Sequence, residues 1–122
     1  MIPAHLDFAH FRGQHIHVGV TGSIAAYKSL DFSRALVHGG LSVSATLSAA
    51  AQQFVTKLAF EALDVDPVHT EMFQGSEDVY AHLEPGRGAD LLVIAPCTAN
   101  TLAKLANGLA DTMLTCQALA FS

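Results

Sequence analysis

Leu91-Leu92-Val93-Ile94-Ala95-Pro96-Cys97-Thr98-Ala99-Asn100-Thr101 joins an apolar run to a short polar turn. Leu91 to Ala95 form an unbroken apolar run, the pattern of a strand covered on both faces in a parallel sheet. Pro96 has no N–H to donate, so the strand stops there. Thr98, Asn100 and Thr101 are short polar side chains of the kind that cap helices and line turns, and Leu102 to Ala106 follow as a helix. In open α/β sheets, ligands bind where the carboxyl end of a buried strand meets such a turn. On the residues alone the turn is either a helix cap or one wall of a ligand site.

Working outward, Ile16 to Val20 is a first strand, followed by Thr21-Gly22-Ser23 and a helix over Ala25 to His38. Ser23 stands at that helix's N-cap and Gly39-Gly40 at its stop. Asp31, Arg34 and His38 share one side of the helix, and Ala26, Leu30 and Val37 another. Leu41 to Leu47 is a second strand, and Ser48 caps a helical run reaching Phe54 and Val55. Phe60 to Leu63 is a short helical piece, Asp64 to Asp66 a turn before Pro67, and Val68 to Thr70 a short strand. Gln74 to Glu77 is loop-like, and Asp111 to Phe121 is a last helix. Residues 1–14 show no sustained period and are expected to be a poorly ordered arm, which leaves 15–122 as one domain. Alternating strands and helices specify an α/β fold, a parallel sheet with helices on both faces. The last helix has no following strand in the chain, which is expected to be part of a longer domain.

Composition narrows the function. Eleven acidic against six basic residues give a net charge of −5. With no Lys/Arg cluster, nucleic acid and anionic membrane surfaces are poor partners. No apolar run approaches a membrane span, and the N-terminus lacks a signal-peptide pattern. Cys97 and Cys116 lie too far apart for a Cys-x-x-Cys element. A reduced, cytoplasmic protein is expected.

Three phosphate motifs can be tested on the first turn. Gly19 and Gly22 do not make Gly-x-Gly-x-x-Gly, so the dinucleotide fingerprint is absent. Gly22 to Ser29 approaches Gly-x-x-x-x-Gly-Lys-Ser, but Tyr27 stands where glycine is required, which excludes a triphosphate loop. What remains is Gly22-Ser23 at a helix start, where free N–H groups and the helix dipole suit one phosphate. Ser48 repeats the arrangement after the second strand, and Thr98 to Thr101 after a later one. Three such turns at one sheet edge could enclose a mononucleotide.

Among the histidines, His15 and His17 alternate on one strand and read as strand-end surface residues. They lack neighbouring carboxylates or cysteines for a metal, and no metal site is expected. His38 suits a helix C-terminus. His69 has no evident role. His82 precedes the key strand and is either a surface histidine or a proton-transfer group near neutral pH.

These residues together resemble the homo-oligomeric flavin-containing cysteine decarboxylases. Gly19-Val20-Thr21-Gly22-Ser23-Ile24-Ala25-Ala26-Tyr27-Lys28 is similar to the family's opening strand and flavin loop. Ser48-Ala49-Ala50-Ala51-Gln52-Gln53-Phe54 resembles its Thr-x-Ala-Ala-x-x-Phe element. Pro96-Cys97-Thr98-Ala99-Asn100-Thr101 resembles Pro-Ala-Ser-Ala-Asn-Thr, departing at Cys97 and Thr98. Lys104-Leu105-Ala106-Asn107-Gly108-Leu109-Ala110-Asp111 continues the match. The resemblance runs from about Ile16 to Phe121 and is strongest to the branch that acts on phosphopantothenoylcysteine in coenzyme A biosynthesis.

The resemblance implies a Rossmann-like (flavodoxin-like), doubly wound sheet in three layers, with the C-terminal part of the family domain beyond Ser122. It implies FMN, held by Gly22, Ser23, Ile24 and Ala25, by Ser48, and by Thr98, Ala99, Asn100 and Thr101. It implies His82 as the catalytic, proton-handling residue and a trimer, or a dodecamer of trimers, with the site between subunits. The implied reaction is decarboxylation of 4'-phosphopantothenoylcysteine to 4'-phosphopantetheine. A cysteine carboxylate cannot lose CO2 directly because the carbanion has no electron sink. Oxidation of the thiol to a thioaldehyde by the flavin supplies one, and the cofactor carries that chemistry. The family's Pro-x-Met-Asn-x-x-Met motif and flap cysteine would lie beyond Ser122, and neither Cys97 nor Cys116 replaces the latter, so the 122 residues alone are expected to be inactive. Two alternatives remain at this stage. One is a related flavoprotein, a peptidyl-cysteine decarboxylase or a flavin prenyltransferase; the other is a non-catalytic flavin-binding subunit.

Overall fold

The computed structural model describes residues 9–70 and 88–121. Among these residues four strands, β1 (His15–Val20), β2 (Ser42–Leu47), β3 (Val68–His69) and β4 (Leu91–Ile94), form one parallel sheet in the order β3-β2-β1-β4. This is the order in which a doubly wound sheet begins, with the switch of direction between β1 and β4. His15 lies opposite Ser42 and Val20 opposite Leu47, so β1 and β2 end level. That common edge carries all three turns singled out above.

Among the described residues four α-helices accompany the sheet: α1 (Lys28–His38), α2 (Lys57–Glu61), α3 (Ala99–Ala106) and α4 (Met113–Ala120). Side chains alternate across a strand. Ile16, Val18 and Val20 of β1 and Val43, Ala45 and Leu47 of β2 therefore share one face, where they bury against Ala26, Leu36, Phe60 and Val65. This is the hydrophobic core. The opposite face takes His15, His17, Ser42, Ser44 and Thr46, and α4 packs over it.

Helix ends follow their expected chemistry. Gly40 adopts φ +92 behind α1, and Leu41 N–H reaches back to Leu36 O while Gly40 N–H reaches Val37 O. Gly108 at φ +71 does the same behind α3, with Leu109 N–H to Lys104 O and Gly108 N–H to Leu105 O. Both are Schellman closures, which need a left-handed residue.

Five expectations change. The run from Ala25 to His38 is not one helix. Ile24–Tyr27 is a 3-10 turn that Ser23 caps, and α1 begins at Lys28. The tighter turn alters the helix phase, so the buried stripe is Ala26, Ser29, Ser33 and Leu36, with Leu30 and Val37 only partly buried. The run after Ser48 is likewise a 3-10 turn, Ala51–Gln53. β4 is an edge strand among the described residues, with Leu91 49% exposed, instead of a strand covered on both faces. His17 is fully buried instead of on the surface, because α4 covers its side of the sheet. The described part of the arm is ordered too: Ala9–Phe11 is a 3-10 turn and Gly13 N–H bonds Gly40 O. The loop over 74–77 and His82 lie outside the described residues.

Candidate functional site

The site is built where β1 and β4 end. Thr21, the first residue past β1, is buried. Its N–H bonds Pro96 O at 3.2 Å, its hydroxyl donates to the same carbonyl, and its oxygen accepts the Thr98 N–H at 2.9 Å. One threonine thus clamps the turn after β4 to the turn after β1. Next to it, a Cβ placed on Gly22 would stand 2.3 Å from the Ala50 Cβ and 3.0 Å from the Ala50 carbonyl carbon. Glycine is required for the first and second turns to touch, whatever its backbone angles.

Each turn is closed by a capping hydroxyl. Ser23 Oγ accepts the Ala25 N–H, Ser48 Oγ the Ala51 N–H, and Thr98 Oγ1 the Thr101 N–H. α3 starts at Ala99 with Thr98 as its cap. α4 is fastened by a capping box, Thr112 Oγ1 accepting from Thr115 N and Thr115 Oγ1 from Thr112 N.

Between these turns lies a cavity of about 420 Å³. That is within the roughly 300–1,000 Å³ of small-molecule sites. Gly22, Ser48, Thr98, Asn100 and Thr101 line it, so five of the positions singled out in the sequence come together there. Ser23, Ile24, Ala25 and Ala99 do not line it. Ala25 instead borders a separate, largely apolar cavity of about 280 Å³ with Lys28, Ser29, Phe32, Ala95 and Pro96. Ile24 is exposed. Sequence reasoning missed Ala49, Ala50, Lys104, Thr112, Leu114 and Thr115 as lining residues. The signal for the last three was present in the Thr112-x-x-Thr115 cap, but nothing local says that α4 folds back onto the cavity.

The donor set suits a phosphorylated ligand. Ser48 uses an oxygen lone pair to cap its turn, and its proton remains to be donated outward. Thr98 donates to Thr101 Oγ1 at 3.2 Å, which leaves the Thr101 proton free in the same way. The first N–H groups of α3 add a partial positive charge. Lys104, the one cation among the described lining residues, is bonded to Asp111 at 3.1 Å. An anion here is met by hydroxyls and backbone N–H groups. A flavin mononucleotide, one phosphate and one aromatic ring system, fits this chemistry and this volume. No group of three His, Cys, Asp or Glu residues that could hold a metal occurs among the described residues.

Cys97 is exposed and free. Cys116 donates its thiol to Ala110 O at 3.3 Å, and burial, with Asp111 nearby, pushes its pKa up. It is held as a thiol, not as a nucleophile. No described helix is long and apolar enough to cross a membrane.

Comparison with known proteins agrees with this geometry. The family model described as Flavoprotein matches residues 8–122. The coenzyme A biosynthesis bifunctional protein CoaBC of Bacillus subtilis is 41% identical over 102 residues, 83% of this chain and 25% of that protein. A Streptococcus mutans protein named "probable phosphopantothenoylcysteine decarboxylase" is 41% identical over 106 residues, 86% of this chain and 59% of its own length. The chain therefore spans between a quarter and three-fifths of these relatives. Among solved structures, the FMN-dependent cysteine decarboxylase TvaF of thioviridamide biosynthesis superposes with a TM-score of 0.82 at 27% identity, covering 89% of this chain and 68% of that one. A PPC decarboxylase variant complexed with pantothenoylaminoethenethiol gives a TM-score of 0.72 at 30% identity, covering 91% and 62%. The β3-β2-β1-β4 sheet with its flanking helices is the flavodoxin-like, Rossmann-like fold of these neighbours.

Proposed function

We propose, from the premise that this chain belongs to the flavoprotein family, that it is the flavin-binding part of an FMN-dependent carboxy-lyase. The substrate is 4'-phosphopantothenoylcysteine and the product 4'-phosphopantetheine. The observation that carries this reading is the cavity at the β1/β4 switch point, where three capping turns present hydroxyl and backbone donors without a free cation among the described residues. The substrate class is supported by relatives of coenzyme A biosynthesis at 41% identity. Bound FMN would supply the two-electron oxidation of the substrate thiol that makes carbon dioxide loss possible, and would return the same two electrons to the enethiolate to give the saturated thiol product.

The chain's own residues do the rest. Ser48, Thr98 and Thr101 hold the cofactor, while Thr21 and Gly22 keep their turns together. Asn100 lines the cavity wall. Ser23, Ile24, Ala25 and Ala99 belong to the same turns and support them without lining the cavity. His82 moves the proton during thiol oxidation. The active form is a cytoplasmic homo-oligomer, a trimer or a dodecamer of trimers.

The test is direct. Full-length protein should be yellow, release FMN on denaturation, and form 4'-phosphopantetheine and carbon dioxide from 4'-phosphopantothenoylcysteine. Release of FAD, or a colourless protein that ignores added FMN, overturns the cofactor. Preferential turnover of peptides ending in cysteine overturns the substrate and leaves the cofactor standing.

A further inference from the structure

The face of the sheet under α4 is polar, which is unusual for a buried layer. Its hydrogen bonds form one continuous series. Ser42 Oγ meets His15 Nδ1 at 3.0 Å, and His15 Nε2 meets Ser44 Oγ at 2.7 Å. Ser44 Oγ meets His17 Nδ1 at 2.6 Å, and His17 Nε2 meets Thr46 Oγ1 at 2.8 Å. Thr46 donates to Gln117 Oε1 at 2.6 Å, and His17 Nε2 lies 3.2 Å from the same oxygen.

The last bond orients all the others. Thr46 spends its proton on Gln117, so it must accept from His17, which places the His17 proton on Nε2. His17 Nδ1 is then an acceptor and Ser44 donates to it. Ser44 accepts in turn from His15 Nε2–H, and Ser42 donates to His15 Nδ1. Every donor points the same way, and the series ends on the side-chain oxygen of Gln117.

Gln117 is fully buried on α4, and its Nε2 has no partner among the described residues. A leucine would fill the same space without that cost, so the oxygen is the atom the site uses. The same helix supplies Thr112, Leu114 and Thr115 to the cavity wall, all within five residues of Gln117. Leu114 reaches so close to β1 that a Cβ on Gly19 would stand 2.5 Å from its Cδ1. The depth at which α4 sits on the sheet therefore sets where that wall stands.

We propose that Gln117 is a positioning residue for the cofactor site: its oxygen, gripped by Thr46 and His17, fixes the seat of α4 and thereby the Thr112–Leu114–Thr115 wall. The inference rests on the flavin reading above. Among the described residues, the titratable groups that face His17 are His15 on its own strand and His69 on β3, whose ring centroid is 6.3 Å away. β2, β4 and α4 bring no charged side chain to it.

The experiment measures FMN affinity by fluorescence quenching in the full-length protein. Three variants are compared with the parent: Gln117→Leu, Thr46→Val and Gln117→Glu. Gln117→Leu keeps the volume and removes the oxygen, and FMN affinity should fall on the order of tenfold, the loss of one buried polar contact. Thr46→Val removes the stronger grip and should act in the same direction. Gln117→Glu keeps an acceptor, so affinity is retained near pH 6. Its carboxylate recruits a proton to His17, and affinity should then fall as pH rises and that proton is lost. The parent and Gln117→Leu profiles should stay flat from pH 6 to pH 8, values set by the unperturbed histidine range at about 6.5. Gln117→Leu and Thr46→Val each binding FMN within about twofold of the parent overturns the inference while the flavin reading stands. If Gln117→Leu fails to fold, Thr46→Val decides alone. A parent that binds no FMN overturns the reading beneath and this inference with it.

Discussion

Thr21 is the residue on which the site geometry depends most. Its N–H and hydroxyl make three hydrogen bonds to the Pro96–Thr98 turn, and no other described side chain bridges β1 to that turn. Thr21→Val keeps the shape and the backbone bond to the Pro96 carbonyl but strips the Thr98 N–H of its partner. Leaving a buried polar group unmet costs roughly 1–3 kcal/mol. The urea midpoint of the full-length protein should fall accordingly and FMN should dissociate faster. An unchanged midpoint with normal flavin retention would show that the two turns are held some other way. A second residue-scale prediction concerns His82. As a positioned acid–base group it should contribute roughly a hundred- to ten-thousand-fold to rate. His82→Asn should leave the flavin spectrum almost unchanged while decarboxylation collapses, and loss of flavin with activity would make it structural.

At the scale of elements, two threonine caps serve as a matched pair. Thr112 caps α4, which lines the cavity, and Thr56 caps α2, which packs beside β3 away from it. Removing either cap costs about 1 kcal/mol. Thr112→Ala and Thr56→Ala should therefore lower the thermal midpoint by similar amounts, and Thr112→Ala alone should weaken FMN binding. Equal flavin affinity in both variants would detach α4 from the cofactor. The elements also show where local patterns mislead. Ala25 to His38 has helical periodicity throughout, yet its first turn is 3-10 and two serines lie on the buried stripe. Ser29 can be there because its hydroxyl bonds Ala26 O one turn back.

For the molecule as a whole, the buried histidine makes stability depend on pH. Burial lowers the His17 pKa to about 4, a bond to Gln117 works against that, and His69 and His15 add to the lowering. The unfolded chain, with a histidine near 6.5, takes up the proton first. The contribution of His17 is thus fully present above about pH 6.5 and is lost as pH falls toward 4, up to about 3 kcal/mol. Urea midpoints should decline steadily between pH 7 and pH 4.5, and less so in His17→Gln. A midpoint that holds constant across that window would mean that His17 titrates normally. Assembly is tested by sedimentation: the full-length protein should run as a trimer or a multiple of it, and an active, flavin-bound monomer would contradict that.

Much of this was present in the order of residues. Alternating strands and helices, the Pro96 stop, the glycine closures at Gly40 and Gly108, and the capping serines and threonines are local features. Backbone sterics and side-chain hydrogen bonding act over a few residues, so they can be recognised without a fold. The motifs around Gly22, Ser48 and Asn100 marked the family for the same reason, since each is a short run at one sheet edge. Only the tertiary structure decided what lies across the sheet. Nothing near His17 in sequence foretells that Gln117, a hundred residues later, covers it. A two-residue period shows that side chains alternate, but not which of the two faces a later helix will bury. Solvent exclusion by α4 turned a surface histidine into a buried one, and the same helix closed the cavity with residues that no motif marked.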